Sequence, residues 1–360
     1  MRDLKYLFSY TAPLAAFISF YFGGVWSFSL LYLAFIIIPV VELFYQGTSE
    51  NLTMEEEDSQ LKKVLFDLML YMNVPMIFGL QIFYFYTVAQ GGLFWWELLG
   101  MTLSAGILIG ADGINVAHEL GHRNTWYERL MSKILLLPSF YLHFIIEHNY
   151  GHHKWVSTDK DPATSRLNEN IYFFFVRSTV MGYISAWKLS GELTKKKGHT
   201  AFGFRNPMYQ YTAIQLAYVA VAIALFSWSI LPYVIISGII GFLMLECVNY
   251  IEHYGLRRKK LASGRYEPVK PHHSWNSNHE LGRIFLYELT RHSDHHYKAN
   301  RKYQVLRHFE KSPQLPLGYP GSILLALFPP AWFLYMNPKV KAEQERIDKA
   351  FTMSGKAVAA

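Results

Sequence analysis

Nine histidines fall into three tight clusters and a singleton: His118 and His122; His148, His152 and His153; His253; His292, His295 and His296. The spacings are i, i+4, then i, i+4, i+5, then i, i+3, i+4. On a helix such intervals stack side chains on one face, so each cluster is expected to present several imidazoles to a single point. That much neutral nitrogen without a thiolate suits a borderline metal such as iron or zinc. Nine ligands exceed what one ion takes, so two metals are the economical reading. Two histidine-bound metals in a membrane protein point to oxygen chemistry.

The elements that must carry these side chains read as membrane helices. Of 360 residues, 51% are hydrophobic, 17% aromatic and only 17% charged, against roughly 25% charged in soluble domains. Six apolar stretches, at 7–22, 28–45, 65–89, 93–117, 211–228 and 231–250, approach the about 20 residues a spanning helix needs. The turns within pairs are short and rich in glycine or serine, and Trp26, Trp95, Trp96 and Trp228 sit near their ends, where an interface favours them. All 34 Lys and Arg residues lie before the first stretch, in 46–64, in 118–210 or after 255, and none lies in the three opposite turns. Positive residues mark the cytoplasmic side, which places both termini and every histidine cluster there. The net charge of +7 then reflects orientation and headgroup attraction, and a nucleic-acid surface is excluded. A seventh apolar segment, 130–146, would separate the first two clusters if it crossed. It is marginal in length and interrupted by Pro138 and His143, so it is read as an interfacial helix returning to the same face. The stretch 323–335, broken by Pro329-Pro330, is read likewise. Arg2 and Lys5 precede an apolar run without a cleavage region behind it, so a signal peptide is not expected.

The one cysteine, Cys247, permits neither a disulfide nor a cysteine-ligated iron–sulfur centre within the chain, so electrons must come from outside. His118-Glu119-Leu120-Gly121-His122 alone matches H-E-x-x-H, in which the glutamate activates a zinc-bound water. A zinc protease needs three protein ligands and has no use for six further clustered histidines. His253 stands at the end of the sixth stretch, at the depth of His118 at the end of the fourth, and is read as a ligand. Metal-bound imidazoles donate their other N–H to a carboxylate or carbonyl, and Glu119, Glu147, Asp159, Asp161, Glu252 and Asp294 are the candidates. His272, His273 and His279 form a fourth cluster, expected to support the ligands or to receive electrons, while His143, His199 and His308 are read as structural. Met54-Glu55-Glu56-Glu57-Asp58 is an acidic patch read as a solvated helix start, with a partner site as the alternative. Lys195-Lys196-Lys197 and Arg257-Arg258-Lys259-Lys260 read as orientation and lipid contact, with docking of an acidic electron carrier as the alternative.

The segments 118–122, 147–153, 249–256 and 289–296 together resemble the integral-membrane alkane hydroxylases, the rubredoxin-dependent alkane 1-monooxygenases of the membrane desaturase–hydroxylase group. The likeness runs from the first apolar stretch to about Lys339. The three-box pattern is common to the whole group, whereas the string around His253 and Arg291-His292-Ser293-Asp294-His295-His296 are more particular to alkane hydroxylation. Thr290 stands where that family commonly has glutamine. The resemblance implies two non-haem irons held by the nine histidines, O2 as oxidant and oxygen insertion into a terminal methyl group of an alkane. It also implies electrons from rubredoxin and its reductase, and no catalytic residue beyond the iron ligands. A fatty-acyl desaturase or xylene-type methyl hydroxylase would need the same site. The expected fold is an all-α integral membrane protein of six transmembrane helices in the inner membrane, with a cytoplasmic histidine-rich di-iron region. Residues 1–340 are expected to form one domain and 341–360 a C-terminal tail.

Overall fold

A computed structural model describes residues 2–45 and 47–357. Among these there are helices and two isolated β-bridges, with no strand. Helix α1 (Thr11–Phe22) follows a 3-10 stretch, Arg2–Tyr10. Then come α2 (Gly24–Phe44), α3 (Met54–Leu61), α4 (Val64–Gln90) and α5 (Trp95–Gly121). Five helices are long and apolar enough to cross a membrane: α2, α4, α5 and two later ones, Pro207–Phe226 and Trp228–His253. The first expected span, 7–22, contains an α-helix of only 12 residues and is not among them. The acidic run does open a helix. Thr53 accepts from the Glu56 amide while Glu56 accepts from the Thr53 amide, which satisfies two otherwise orphaned donors.

Helix α6 (Trp126–Leu136) ends in a 3-10 turn at Leu137–Ser139, and Phe140 takes a left-handed φ of 56°. Pro138 has no N–H to continue the helix, so the chain reverses there and 130–146 is not a continuous span. A helical run over 144–155, here α7, then carries the second histidine cluster. Helices α8 (Ile171–Lys196), α9 (Pro207–Phe226) and α10 (Trp228–His253) follow. Short helices α11 (Glu280–Phe285) and α12 (His292–Tyr297) come next, and α12 carries the third cluster. Next, α13 (Tyr319–Ala326) and α14 (Pro329–Ala357) are separated just before Pro329-Pro330. The boundary drawn at residue 340 falls inside α14, and 358–360 lie outside the described residues.

Helix α5 is the buried centre of the bundle, whereas α9 exposes most of its surface. Helix α5 lies so close to α10 that side chains are excluded on both sides of the seam. A Cβ on Gly110 would lie 2.5 Å from the Met244 Cβ and 2.9 Å from the Gly241 carbonyl. One on Gly106 would collide with Ile240, and one on Gly241 with Ile109. Small residues let helices approach where no water-driven force brings them together. The seam fixes the ends of α5 and α10 side by side, and those ends bear His118 and His253. At the far end Glu97 caps its own helix and ties it to α2, accepting from the Phe94 amide at 2.8 Å and the Gly24 amide at 2.6 Å.

Gly110→Ala should therefore destabilise the bundle by about 1–3 kcal/mol, as overpacking does, and lower its thermal midpoint. Gly79→Ala, with nothing within 4 Å, should leave the midpoint unchanged or raise it. Equal midpoints for the two variants would show that the seam is not tight.

Candidate metal centre

The nine clustered histidines converge, but not cluster by cluster. His118, His122, His148, His153 and His295 form one nest, and His152, His253, His292 and His296 form a second. Within each nest, one ligand atom per residue lies within 4.8 Å of all the others. The expectation that each cluster serves a single point is thus corrected for two of the three. Adjacent residues on a helix point about 100° apart, so His152 and His153 diverge into different nests, as do His295 and His296. The second cluster meets the nests because His148–His152 is a π-helical turn, in which an i→i+5 closure brings His153 back beneath His148.

The imidazoles meet through their Nε2 atoms. In the first nest the separations are 2.9 Å for His118–His295, 3.0 Å for His122–His148 and His148–His153, and 3.1 Å for His153–His295. In the second they are 3.1 Å for His152–His296 and 3.2 Å for His253–His292. Metal–nitrogen bonds of about 2.0–2.1 Å at right angles put their nitrogens about 3 Å apart. Burial and mutual repulsion hold His148, His153, His292, His295 and His296 well below the usual imidazole range, and burial takes His122 to about 4. Neutral rings with facing lone pairs are a donor set for a cation, so the residues fit a metal.

Carboxylates sort into those that touch a nest and those that do not. Asp161 meets His152 Nδ1 at 2.9 Å, which puts the proton there and turns Nε2 inward as a lone pair. Burial opposes charge on both groups. Their attraction prevails, raising His152 above and holding Asp161 below their ordinary values. Glu252 places one oxygen 3.2 Å from His292 Nε2, while its other oxygen accepts from the Tyr319 hydroxyl at 2.8 Å. Nothing in the sequence signalled Tyr319, which lies 67 residues away with no spacing pattern. Glu119 faces away: it pairs with Arg123 at 2.6 Å and accepts from the Tyr303 amide. That disposition turns the glutamate of the H-E-x-x-H string away from the facing nitrogens. Asp294 accepts from the Arg307 amide and pairs with Arg301, and Asp159 meets Arg257 on the surface. Glu147 lies near Ser185, at 3.3 Å.

His272 and His273 gather with Glu267 in a separate group. His273 Nδ1 accepts from the Lys270 amide at 3.0 Å, so its own proton sits on Nε2, directed at Glu267 3.5 Å away. Such a ring has no lone pair to offer a metal there. The support this segment gives comes from its neighbours. The Trp275 indole donates to the Tyr254 carbonyl, the Trp275 amide to the Glu252 carbonyl, and Asn276 accepts from the Ser293 amide. These bonds tie His253 and His292 into one frame. His279 hydrogen-bonds Ser277. His143 packs edge-on between Tyr141 and Tyr183, His199 lies against Arg205 on the surface, and His308 binds Asn51 through its amide.

A cavity of about 60 Å³ reaches His118, His148 and His292 and is otherwise walled mainly by apolar side chains, among them Phe35, Ile107, Phe144, Met244, Phe285 and Ile323. It opens onto rings of both nests. Asn115, Asn249, Glu252 and Tyr319 are its other polar wall residues.

Residues 93–320 match the fatty acid desaturase family. An alkane 1-monooxygenase of Ectopseudomonas oleovorans is 41% identical over 84% of this chain and 75% of its own length. Alkane 1-monooxygenase 2 of Pseudomonas aeruginosa is 37% identical over 89% of this chain and 86% of its own. The hydroxylase component of a xylene/toluene monooxygenase from Pseudomonas putida is 29% identical over 96% and 91%.

Asp161→Asn should weaken metal retention about 10–100-fold, as loss of a carboxylate behind a ligating histidine does. Dialysis against a chelator followed by metal quantification measures it, and retention equal to the unaltered chain would remove Asp161 from the site. His199→Ala serves as the neutral comparison.

Proposed function

The chain belongs to the alkane 1-monooxygenase family, within the fatty acid desaturases, and from that premise we propose that it hydroxylates the terminal methyl group of alkanes. The observation that carries this reading is the apolar cavity ending on rings of both nests. In the proposed site His118, His122, His148, His153 and His295 hold one iron, and His152, His253, His292 and His296 hold the other. When bound, the two irons supply activation of O2 for insertion of one oxygen atom into a methyl C–H bond. The balance is one alkane, one O2, two electrons and two protons giving one 1-alkanol and one water. The electrons come from rubredoxin and its reductase.

The chain's own residues supply position and exclusion of water. An alkane has no handle but its surface, so recognition rests on burial of methylene groups, each contributing about 0.8 kcal/mol. Phe35, Ile107, Met244 and Ile323 give that surface. Tyr319 donates to Glu252 and holds its carboxylate against His292, where it stands as near as His253 does. Asp161 fixes the tautomer of His152.

The proposed setting is the inner membrane, with six crossings formed by Arg2–Phe22 and the five long helices. Both termini and the nests then face the cytoplasm, where rubredoxin is reached. The exposed rings of Trp26, Trp95 and Trp228 at the three opposite turns support an interface there. A xylene-type methyl hydroxylase is the second reading, favoured by the likeness to the xylene/toluene enzyme over nearly the whole chain.

Cells expressing the chain with rubredoxin and its reductase, fed an alkane ladder, an alkylbenzene and a fatty acid, should form 1-alkanols as the main product. Benzylic alcohol as the main product would favour the second reading, and an alkene product a desaturase. His292→Ala should abolish turnover and lower iron content, and turnover persisting in that variant would remove it from the ligand set. A reporter fused after Gly91 should appear outside the cytoplasm and one after Gly198 within it. The reverse pattern would overturn the orientation.

A further inference from the structure

A second, larger cavity of about 550 Å³ opens beside the first nest and includes His122 and His153 in its wall. Arg123, Arg129, Lys133, Lys197 and Arg205 also line it, and no carboxylate does. Arg123 is neutralised by Glu119 and Asp67. Among the described residues, Arg129, Lys133, Lys197 and Arg205 form no ion pair with any carboxylate. Four unneutralised cations around one concave space repel each other and focus a positive potential into it, which selects an anion.

The surroundings decide which anion. Lys133 belongs to α6, whose outward side chains Trp126, Tyr127 and Leu130 are exposed, Trp126 to 76%. Aromatic and aliphatic side chains beside cations are the composition of a headgroup-level surface. The opposite wall is the start of α9, contributing Pro207 and Tyr211, and Lys133 Nζ lies 5.8 Å from the centre of the Tyr211 ring. Beyond that wall α9 runs on as one of the helices apolar enough to span, with Ile214, Val221 and Leu225 exposed along it. An anion held in the cleft with its apolar part laid along α9 is an anionic phospholipid. The cleft is also concave, which admits a headgroup more readily than the face of a folded protein. We propose that Arg129, Lys133, Lys197 and Arg205 bind the phosphate of such a lipid, closing the polar mouth at His122 and His153 while acyl chains follow α9.

The test reads binding alone, so it is independent of iron and turnover. The purified chain is reconstituted in nanodiscs of phosphatidylcholine with or without phosphatidylglycerol, and retained lipid is counted by native mass spectrometry. The unaltered chain should retain phosphatidylglycerol in preference to phosphatidylcholine. Removing one cation should weaken retention about fivefold, so Lys197→Gln should show about that loss and the Lys133→Gln/Arg205→Gln double variant about 25-fold. Lys195→Gln/Lys196→Gln, which alters neighbouring charges outside the cleft, should retain lipid like the unaltered chain. Thermal midpoints of all variants separate loss of binding from loss of fold, and the single variant decides if the double one fails to fold. Equal retention of the two lipids, or equal losses in the cleft and control variants, would overturn the proposal. So would binding of inorganic phosphate that phosphatidylglycerol does not displace, which marks a free-anion site. Unchanged lipid retention in the cleft variants, with weakened binding of the acidic electron donor in a titration, would overturn it in favour of an acidic protein surface.

Discussion

Nine ring nitrogens turned toward two points, seven of them on buried side chains, are the constraint on which the rest of this molecule is built. Lone pairs about 3 Å apart repel unless a cation or a shared proton lies between them, and each buried polar atom left without a partner costs about 1–3 kcal/mol. Apolar contacts alone would let such rings swing apart into better company. Here they are confined by charge networks just behind them. Glu119, Arg123, Asp67 and Lys302 form one chain of ion pairs, joining α5 to α4 and to the segment after the third cluster. Asp294 with Arg301 and the Arg307 amide anchors α12 from the other side. These groups do not touch the facing nitrogens. They remove the freedom of the backbone that carries them.

Depth is set separately, by the seam between α5 and α10. His118 and His253 are far apart in sequence and belong to different nests, yet each ends a helix of the same close-packed pair. The two nests therefore share a level because two helices cannot slide, glycine at 106, 110 and 241 admitting the contact and bulkier neighbours filling it. The π-helical turn at Ile109–Ile114 lies just above His118 in α5, and the one at His148–His152 lies within the second cluster. Such turns are rare and cost regular hydrogen bonding, and they commonly mark functional sites. In α7 the turn has a visible use, since His148 and His153 share a nest that a regular α-helix would have denied them.

Much of this was legible in the sequence, for reasons that also explain what was not. The histidine spacings announced helices with several imidazoles on a face, and the apolar runs announced α2, α4, α5, α9 and α10. Pro138 in a run of marginal length announced the reversal after α6. What periodicity does not hold is the partition of His152 from His153 and of His295 from His296, which depends on where neighbouring helices stand. Adjacency in sequence also misleads for carboxylates. Glu119 sits beside His118 in the chain but turns to Arg123, whereas Asp161, nine residues from His152, bonds its ring. Tyr319 was invisible because a hydroxyl that meets a glutamate across 67 positions leaves no local signature. The division of the first apolar stretch into a 3-10 segment and a 12-residue α-helix was not legible, because composition measures apolarity and not the winding of the backbone.

The two openings divide the site unequally. The apolar cavity touches His118 and His148 of one nest and His292 of the other, so an apolar molecule lodged there stands before both. The cationic cleft touches His122 and His153, both of the first nest, and no histidine of the second. The first nest thus borders a polar, cation-lined space, while the second lies wholly buried, with Glu252 and Asp161 as the carboxylates that touch it. A buried positive centre requires nearby negative charge, because solvent is too far away to screen it. That requirement is met on the enclosed side, where both carboxylates sit, whereas among the described residues no carboxylate pairs with a ring of the first nest. The uneven supply of carboxylates makes the two nests chemically distinct although their imidazole spacings are nearly the same.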